Sequence, residues 1–209
     1  MVQAYRALLR AGNRTSWRLW DLWHHVDTCA FAEITSSSVV GSNLAFGSRY
    51  EPSQLIRSIL KELQIDYAQF GFVDFGSGKG RVLLQASGFP FRAVEGVEFS
   101  VELHRVAENN IRRYCRARVR CRDVRSILSD ATEYTLPLTP LVIFLFNPFS
   151  GPVLAQVMHN IERSAKEHPR EIVIICCGTH MSREDVERIP NVQIRWKQKY
   201  SAVYRLADG

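Results

Sequence analysis

From residue 53 onward the chain alternates two apolar patterns. Ser53 stands in a helix-capping position, and Leu55, Ile56, Ile59, Leu60 and Leu63 follow it with the helical period. Phe72 to Phe75 is a short apolar run carrying one acid, Asp74. Gly76, Gly78 and Gly80 come next at alternate positions, and the apolar stretch 81–86 begins at once. This predicts a buried strand, a tight turn and a helix start. Ala93 to Glu98 predicts a second strand ending in an acid, and Ser100 caps a helix through Val101, Leu103, Ala107, Ile111 and Tyr114. A third strand, Val124 to Ser129, stops at Asp130. Leu141 to Phe146 is unbroken, as in a strand buried on both faces. Val153, Leu154, Val157, Ile161 and Ala165 mark a helix, Glu171 to Cys177 a fifth strand and Ser182 to Ile189 a short helix. Val192 to Trp196 and Ala202 to Leu206 are strands with no helix between them. The order predicts a parallel α/β sheet ending in a hairpin-like pair.

Residues 1–50 have a different texture and are read as an N-terminal helical extension and lid segment, ahead of a cofactor-binding domain over 51–209. Trp17, Trp20 and Trp23 recur every three residues with Leu19 and Leu22 between them. They predict an amphipathic helix whose aromatic ridge packs on the main domain or meets a partner or membrane surface. Residues 35–48 are small and polar, as in a loop or lid.

Composition narrows the class. A chain of 209 residues, 46% hydrophobic and 23% charged, suffices for one α/β domain with a full core. No stretch approaches the roughly 20 apolar residues of a membrane helix. The basic N-terminus is interrupted by Asn13, Arg14 and Arg18, so no secretory signal is expected. Five cysteines without a C-x-x-C pair predict reduced thiols, a cytoplasmic setting and no metal site. The net charge of +6 suits an acidic partner, although many soluble enzymes share it.

In an open parallel sheet a ligand lies beyond the carboxyl ends of the strands. The informative residues are then Asp74 with its glycine turn, Glu98, Asp130 and Asn147. A turn stripped of Cβ atoms lets a nucleoside-type cofactor approach the backbone, and helix N-terminal amides add a polar floor. Glu98 can accept both ribose hydroxyls or help to cap the following helix. Asp130 can take an adenine amine or close a turn, and Asp123 is a rival for the adenine role. Asn147-Pro148-Phe149 offers an amide oxygen, a frozen turn and an aromatic face, or else a strand-ending turn with a core phenylalanine. The spacing excludes a G-x-G-x-x-G dinucleotide fingerprint and a phosphate loop, which would need glycine at Val73 and a hydroxyl at Gly80.

Asp74-Phe-Gly76-Ser-Gly78-Lys-Gly80, with Glu98, Asp130 and Asn147-Pro-Phe149, resembles the class I S-adenosylmethionine-dependent methyltransferases over residues 50–206. The resemblance implies a three-layer α-β-α sandwich with a seven-stranded, mostly parallel sheet and an antiparallel final strand. It implies S-adenosylmethionine held by Asp74, Gly76, Ser77, Gly78, Gly80, Glu98, Phe99 and Asp130, with Asn147 and Phe149 at the methyl group. The stretch Val73 to Arg81 followed by Gly96-Val-Glu-Phe is similar to the seven-stranded lysine methyltransferases, and Tyr50-Glu51-Pro52 looks like their cofactor-covering segment. Tyr50 is thereby a lid residue. The implied acceptor is an amine: protein lysine first, then a small amine, then RNA. The Asn/Asp-Pro-Pro-aromatic tetrad of glutamine and adenine methyltransferases is absent, because Phe149 follows a single proline. His180 is the one histidine expected near a strand end. The alternative is a non-catalytic cofactor-binding module, with weak nucleic-acid contact through the arginines of 112–125.

Overall fold

The structure, a computed structural model, describes residues 15–29, 32–33, 39–40, 49–50, 56–114, 119–178 and 183–206. Helix α1 covers 15–24. Two short strands, β1 (Ala32–Glu33) and β2 (Arg49–Tyr50), pair antiparallel. Then come α2 (Ile56–Glu62), β3 (Gly71–Phe75), α3 (Arg81–Ala86), β4 (Ala93–Glu98), α4 (Val101–Arg113) and β5 (Val124–Leu128). The chain continues through β6 (Leu141–Phe146), α5 (Gly151–Glu167), β7 (Ile172–Cys177), α6 (Glu184–Glu187), β8 (Val192–Lys197) and β9 (Ser201–Leu206). The large sheet has seven strands in the order β5-β4-β3-β6-β7-β9-β8. β9 runs antiparallel to both neighbours, and the other pairings are parallel.

The two-residue period of the strands divides the core. Leu141, Ile143 and Leu145 of β6 face one cluster, with Leu154, Val157 and Ile161 of α5. Val142 and Phe144 face the other, with Ile56, Ile59 and Leu60 of α2 and Val82, Leu83 and Ala86 of α3. Both faces are covered, which is why β6 reads as an unbroken apolar run. The same alternation puts Cys176 and Cys177 on opposite faces of β7. Cys29, Cys121, Cys176 and Cys177 are free thiols.

The short helix near 182–189 is narrower than expected, and Ser53 and His180 lie outside the described residues. The tryptophan ridge needs correction. A three-residue step falls short of the 3.6-residue turn, so successive rings rotate around the helix. Trp20 turns inward, while Leu19, Leu22 and Trp23 are exposed. Among the described residues no helix is long and apolar enough to cross a membrane.

Candidate cofactor site

The turn after β3 needs its glycines. Gly76, Gly78 and Gly80 have φ of 73°, 54° and 79°, all left-handed. A Cβ on Gly76 would lie 2.9 Å from Pro148 Cβ, so this turn touches the one after β6. Amides of the turn itself are used by the fold. Gly76 and Ser77 N–H groups both donate to Val97 O, at 2.9 and 3.1 Å, and Gly80 N–H donates to Ser77 O at 2.9 Å. Ser77 turns its side chain toward Gly96, where a Cβ would lie 2.6 Å from Ser77 Oγ. What the turn offers a ligand is lack of bulk.

Two acids sit beneath it. Glu98 Oε2 accepts from Gly78 N–H at 2.7 Å, and Oε1 accepts from Ser100 N–H at 2.8 Å. Burial pushes Glu98 up to about 7, against the pull of the Ser100, Gly78 and Phe99 amides. Burial first, and the Glu98 carboxylate second, hold Asp74 well above the usual carboxylate range. Among the described residues, neither acid forms an ion pair with lysine or arginine. Ser100 also caps α4, as expected, by accepting from Leu103 N–H.

The structure separates the two rival aspartates. Asp130 follows the carboxyl end of β5, where its Oδ1 accepts from Thr132 N–H and Oγ at 2.8 and 2.7 Å. Asp123 precedes the amino end of β5 and pairs with Arg125 at 3.0 Å, on the far side of the sheet from the turns.

Gly76, Val97, Phe99, Ser129, Asp130, Ala131, Pro148, Phe149 and Val153 line a cleft that is open to solvent. The ends of β3, β4, β5 and β6 therefore meet in one mostly apolar slot. Phe149 stands edge-on to Phe75 with ring centroids 6.4 Å apart. Asn147, at φ 45°, packs its side chain on Gly178, where a Cβ would lie 2.1 Å from Asn147 Oδ1. Asn147 is not part of the cleft wall. Val40 N–H donates to Phe99 O at 2.9 Å and Val39 bridges Ser100, so part of the expected lid lies against the cleft rim. Tyr50 is placed only as a strand residue opposite Ala32.

Sequence reasoning missed the residues behind the turn. Arg81 is 2% exposed and donates from Nη1 to Asp21 Oδ1 at 3.0 Å and to Thr28 Oγ1 at 2.6 Å. Its guanidinium also lies 4.3 Å from the Trp20 ring centroid. Lys79 reaches Asp27, and Asn110 joins the two. The one available signal was a pair of cations, Lys79 and Arg81, inside an otherwise buried motif.

No protein-family model matches the chain, and no curated protein matches it. Solved structures do resemble it. An S-adenosylmethionine-dependent methyltransferase from Aquifex aeolicus is 17% identical with a TM-score of 0.55, over 75% of this chain and 94% of the other. TrmN from Thermus thermophilus is 16% identical with a TM-score of 0.52, over 74% and 48%. The magnesium protoporphyrin IX methyltransferase ChlM from Synechocystis PCC 6803, with bound S-adenosylmethionine, is 14% identical with a TM-score of 0.50, over 75% and 79%. This chain has the seven-stranded, Rossmann-like fold seen in those methyltransferases.

Proposed function

We propose that the chain is an S-adenosylmethionine-dependent methyltransferase acting on an amine-type acceptor, with protein lysine first among the classes. One observation carries the reading. Glu98, buried and without a cationic partner among the described residues, ends β4 directly beside the glycine turn and the apolar cleft. A buried acid lacking a cation is costly, and hydroxyl donors of a ribose would satisfy it. The group fits the residues present. Glu98 would take the ribose, Asp130 and the apolar walls the adenine, and Asp74 with Gly76, Ser77, Gly78 and Gly80 the methionyl end.

When bound, the cofactor supplies an electrophilic sulfonium methyl group. The chain's task is then alignment and exclusion of water, worth several kcal/mol. Phe149 walls the slot and desolvates an approaching amine, which favours its neutral, reactive form. We assign Asn147 to the rim facing the acceptor and residues 1–50, including Tyr50, to an extension and lid. The free thiols fit a cytoplasmic setting.

Glu98→Ala should weaken S-adenosylmethionine binding by about 1–3 kcal/mol, measured by calorimetry. Unchanged affinity would remove Glu98 from the site. Incubation with tritiated cofactor and size-fractionated cytosol should label one acceptor fraction. Binding without any labelling would mark a non-catalytic module.

A second surface favours contact with nucleic acid. Arg112, Arg113, Arg120 and Arg122 are exposed near the amino end of the sheet, and none pairs with an acid among the described residues. Arg125 instead pairs with Glu95 and Asp123. Affinity for mixed RNA that falls steeply with salt supports this contact, and no binding at low salt ends it.

A further inference from the structure

The outer side of the glycine turn is fastened by a second set of contacts. Asn110 of α4 is 3% exposed, and its side-chain amide uses both N–H groups and its oxygen. Its Oδ1 accepts from Asp27 N–H at 2.9 Å. Its Nδ2 donates to Asp27 O at 2.8 Å and to Lys79 O at 2.9 Å. Asp27 in turn accepts from Lys79 Nζ at 3.0 and 3.1 Å. The chain after α1 is thus tied to Lys79 through both backbone and side chain.

Lys79 stands between two left-handed glycines, and Gly78 N–H is the donor to Glu98. Glycines are the residues with most freedom to lose on folding, so the turn needs contacts on each of its peptides; the bonds to Val97 O and Ser77 O fix its start and end, and the Lys79 peptide lies between them. Asn110 Nδ2 holds the Lys79 carbonyl from outside the turn, and Asp27 holds the Lys79 ammonium. The contacts form one path: Asp27 and Asn110 grip Lys79, Lys79 orients Gly78, and Gly78 holds Glu98.

We infer that Asn110 and Asp27 are positioning residues for the cofactor cradle, holding the Lys79 peptide so that the glycine turn and Glu98 keep their register before a cofactor arrives. The inference rests on reading the cleft as the cofactor site. Neither residue touches the cleft. They act by removing conformations that binding would otherwise have to exclude, and preorganisation of that kind appears as affinity.

Two readouts separate this from ordinary structural support. In the ligand-free full chain, amide hydrogen exchange at Gly78 and Gly80 should speed up roughly tenfold in Asp27→Ala, and more in Asn110→Ala. The melting temperature of Asp27→Ala should stay within about 2 °C of the parent. In the same variant the dissociation constant for S-adenosylmethionine should rise about fivefold, and Asp27→Glu should recover part of the loss. Unchanged exchange at Gly78 and Gly80 in Asp27→Ala overturns the inference. So does exchange that rises across the whole sheet in step with a fallen melting temperature. If the parent chain binds no S-adenosylmethionine, the functional reading fails, yet the exchange measurement still decides the latch.

Discussion

The glycine turn separates two sets of acids that the fold treats in opposite ways. On its outer side, Asp21 and Asp27 each meet a cation supplied by the turn's own sequence, Arg81 and Lys79. On its inner side, Asp74 and Glu98 have no lysine or arginine partner among the described residues, and burial holds both above the usual carboxylate range. Charge matched on one side fastens the turn to α1. Charge left unmatched on the other leaves acceptors available to a ligand, at a standing cost to the folded state. Residues of one chemical type thus divide into structural and ligand-directed roles according to whether a cation meets them, buried at Asp21 and exposed at Asp27.

The largest test strikes the matched side. Asp21→Ala removes the carboxylate that faces the buried Arg81 guanidinium and takes acceptors from Thr28 and the Cys29 amide. Removing one partner of a buried pair should cost about 3–5 kcal/mol, read by chemical denaturation. A stable variant with impaired cofactor binding would reverse the assignment of sides.

The next test uses pH. Glu98 rises from about 4.5 in the unfolded chain to about 7 in the fold. Between those values the folded state keeps a proton that the unfolded chain has released. Stability of the ligand-free protein should therefore fall as pH rises through that window, by at most about 3 kcal/mol. Asp74, also raised, acts in the same direction. Cofactor affinity should move the opposite way and increase toward pH 8, because ribose hydroxyls donate to the ionised carboxylate. Denaturation and calorimetry at about pH 5.5 and about pH 8 read both slopes. Parallel slopes would detach Glu98 from the ligand.

Gly76→Ala probes the seam between the turns. The new methyl group would meet Pro148 Cβ at 2.9 Å from a left-handed backbone. The expected loss is about 2 kcal/mol of stability, with a larger loss of cofactor affinity. The smallest effect belongs to Arg125→Ala. Arg125 is 56% exposed and pairs with Glu95 and Asp123 at the amino end of the sheet. Stability should change by less than about 1 kcal/mol and cofactor affinity not at all. A marked drop in affinity would extend the site beyond the carboxyl ends.

Local patterns were enough to place the elements. The bounds of β4 and β6 agree with their apolar runs, and Ser100 caps α4 as its position indicated. Periodicity and capping act over a few residues, so a linear reading can see them. It also placed Glu98 and the glycine turn side by side, because a strand, a helix and a second strand in succession predict parallel neighbours whose carboxyl ends lie together. It put Asp130 ahead of Asp123 by the strand-end rule, and the pairing of Asp123 with Arg125 at the amino end of β5 appears only in the folded chain. It grouped the tryptophans by spacing alone, although the helical turn sends them to different sides.

The order of strands and helices, the glycine turn and the acids at the strand ends were set by the amino-acid sequence, through short-range preferences that each segment carries. The burial of Arg81 against Asp21, sixty residues away in the chain, was decided only on folding. So were the grip of Asn110 on Asp27 and Lys79 and the seating of Asn147 on Gly178. Such contacts pay a loop-closure cost that the completed core offsets, and their partners are chosen by where the packed sheet and helices bring side chains together.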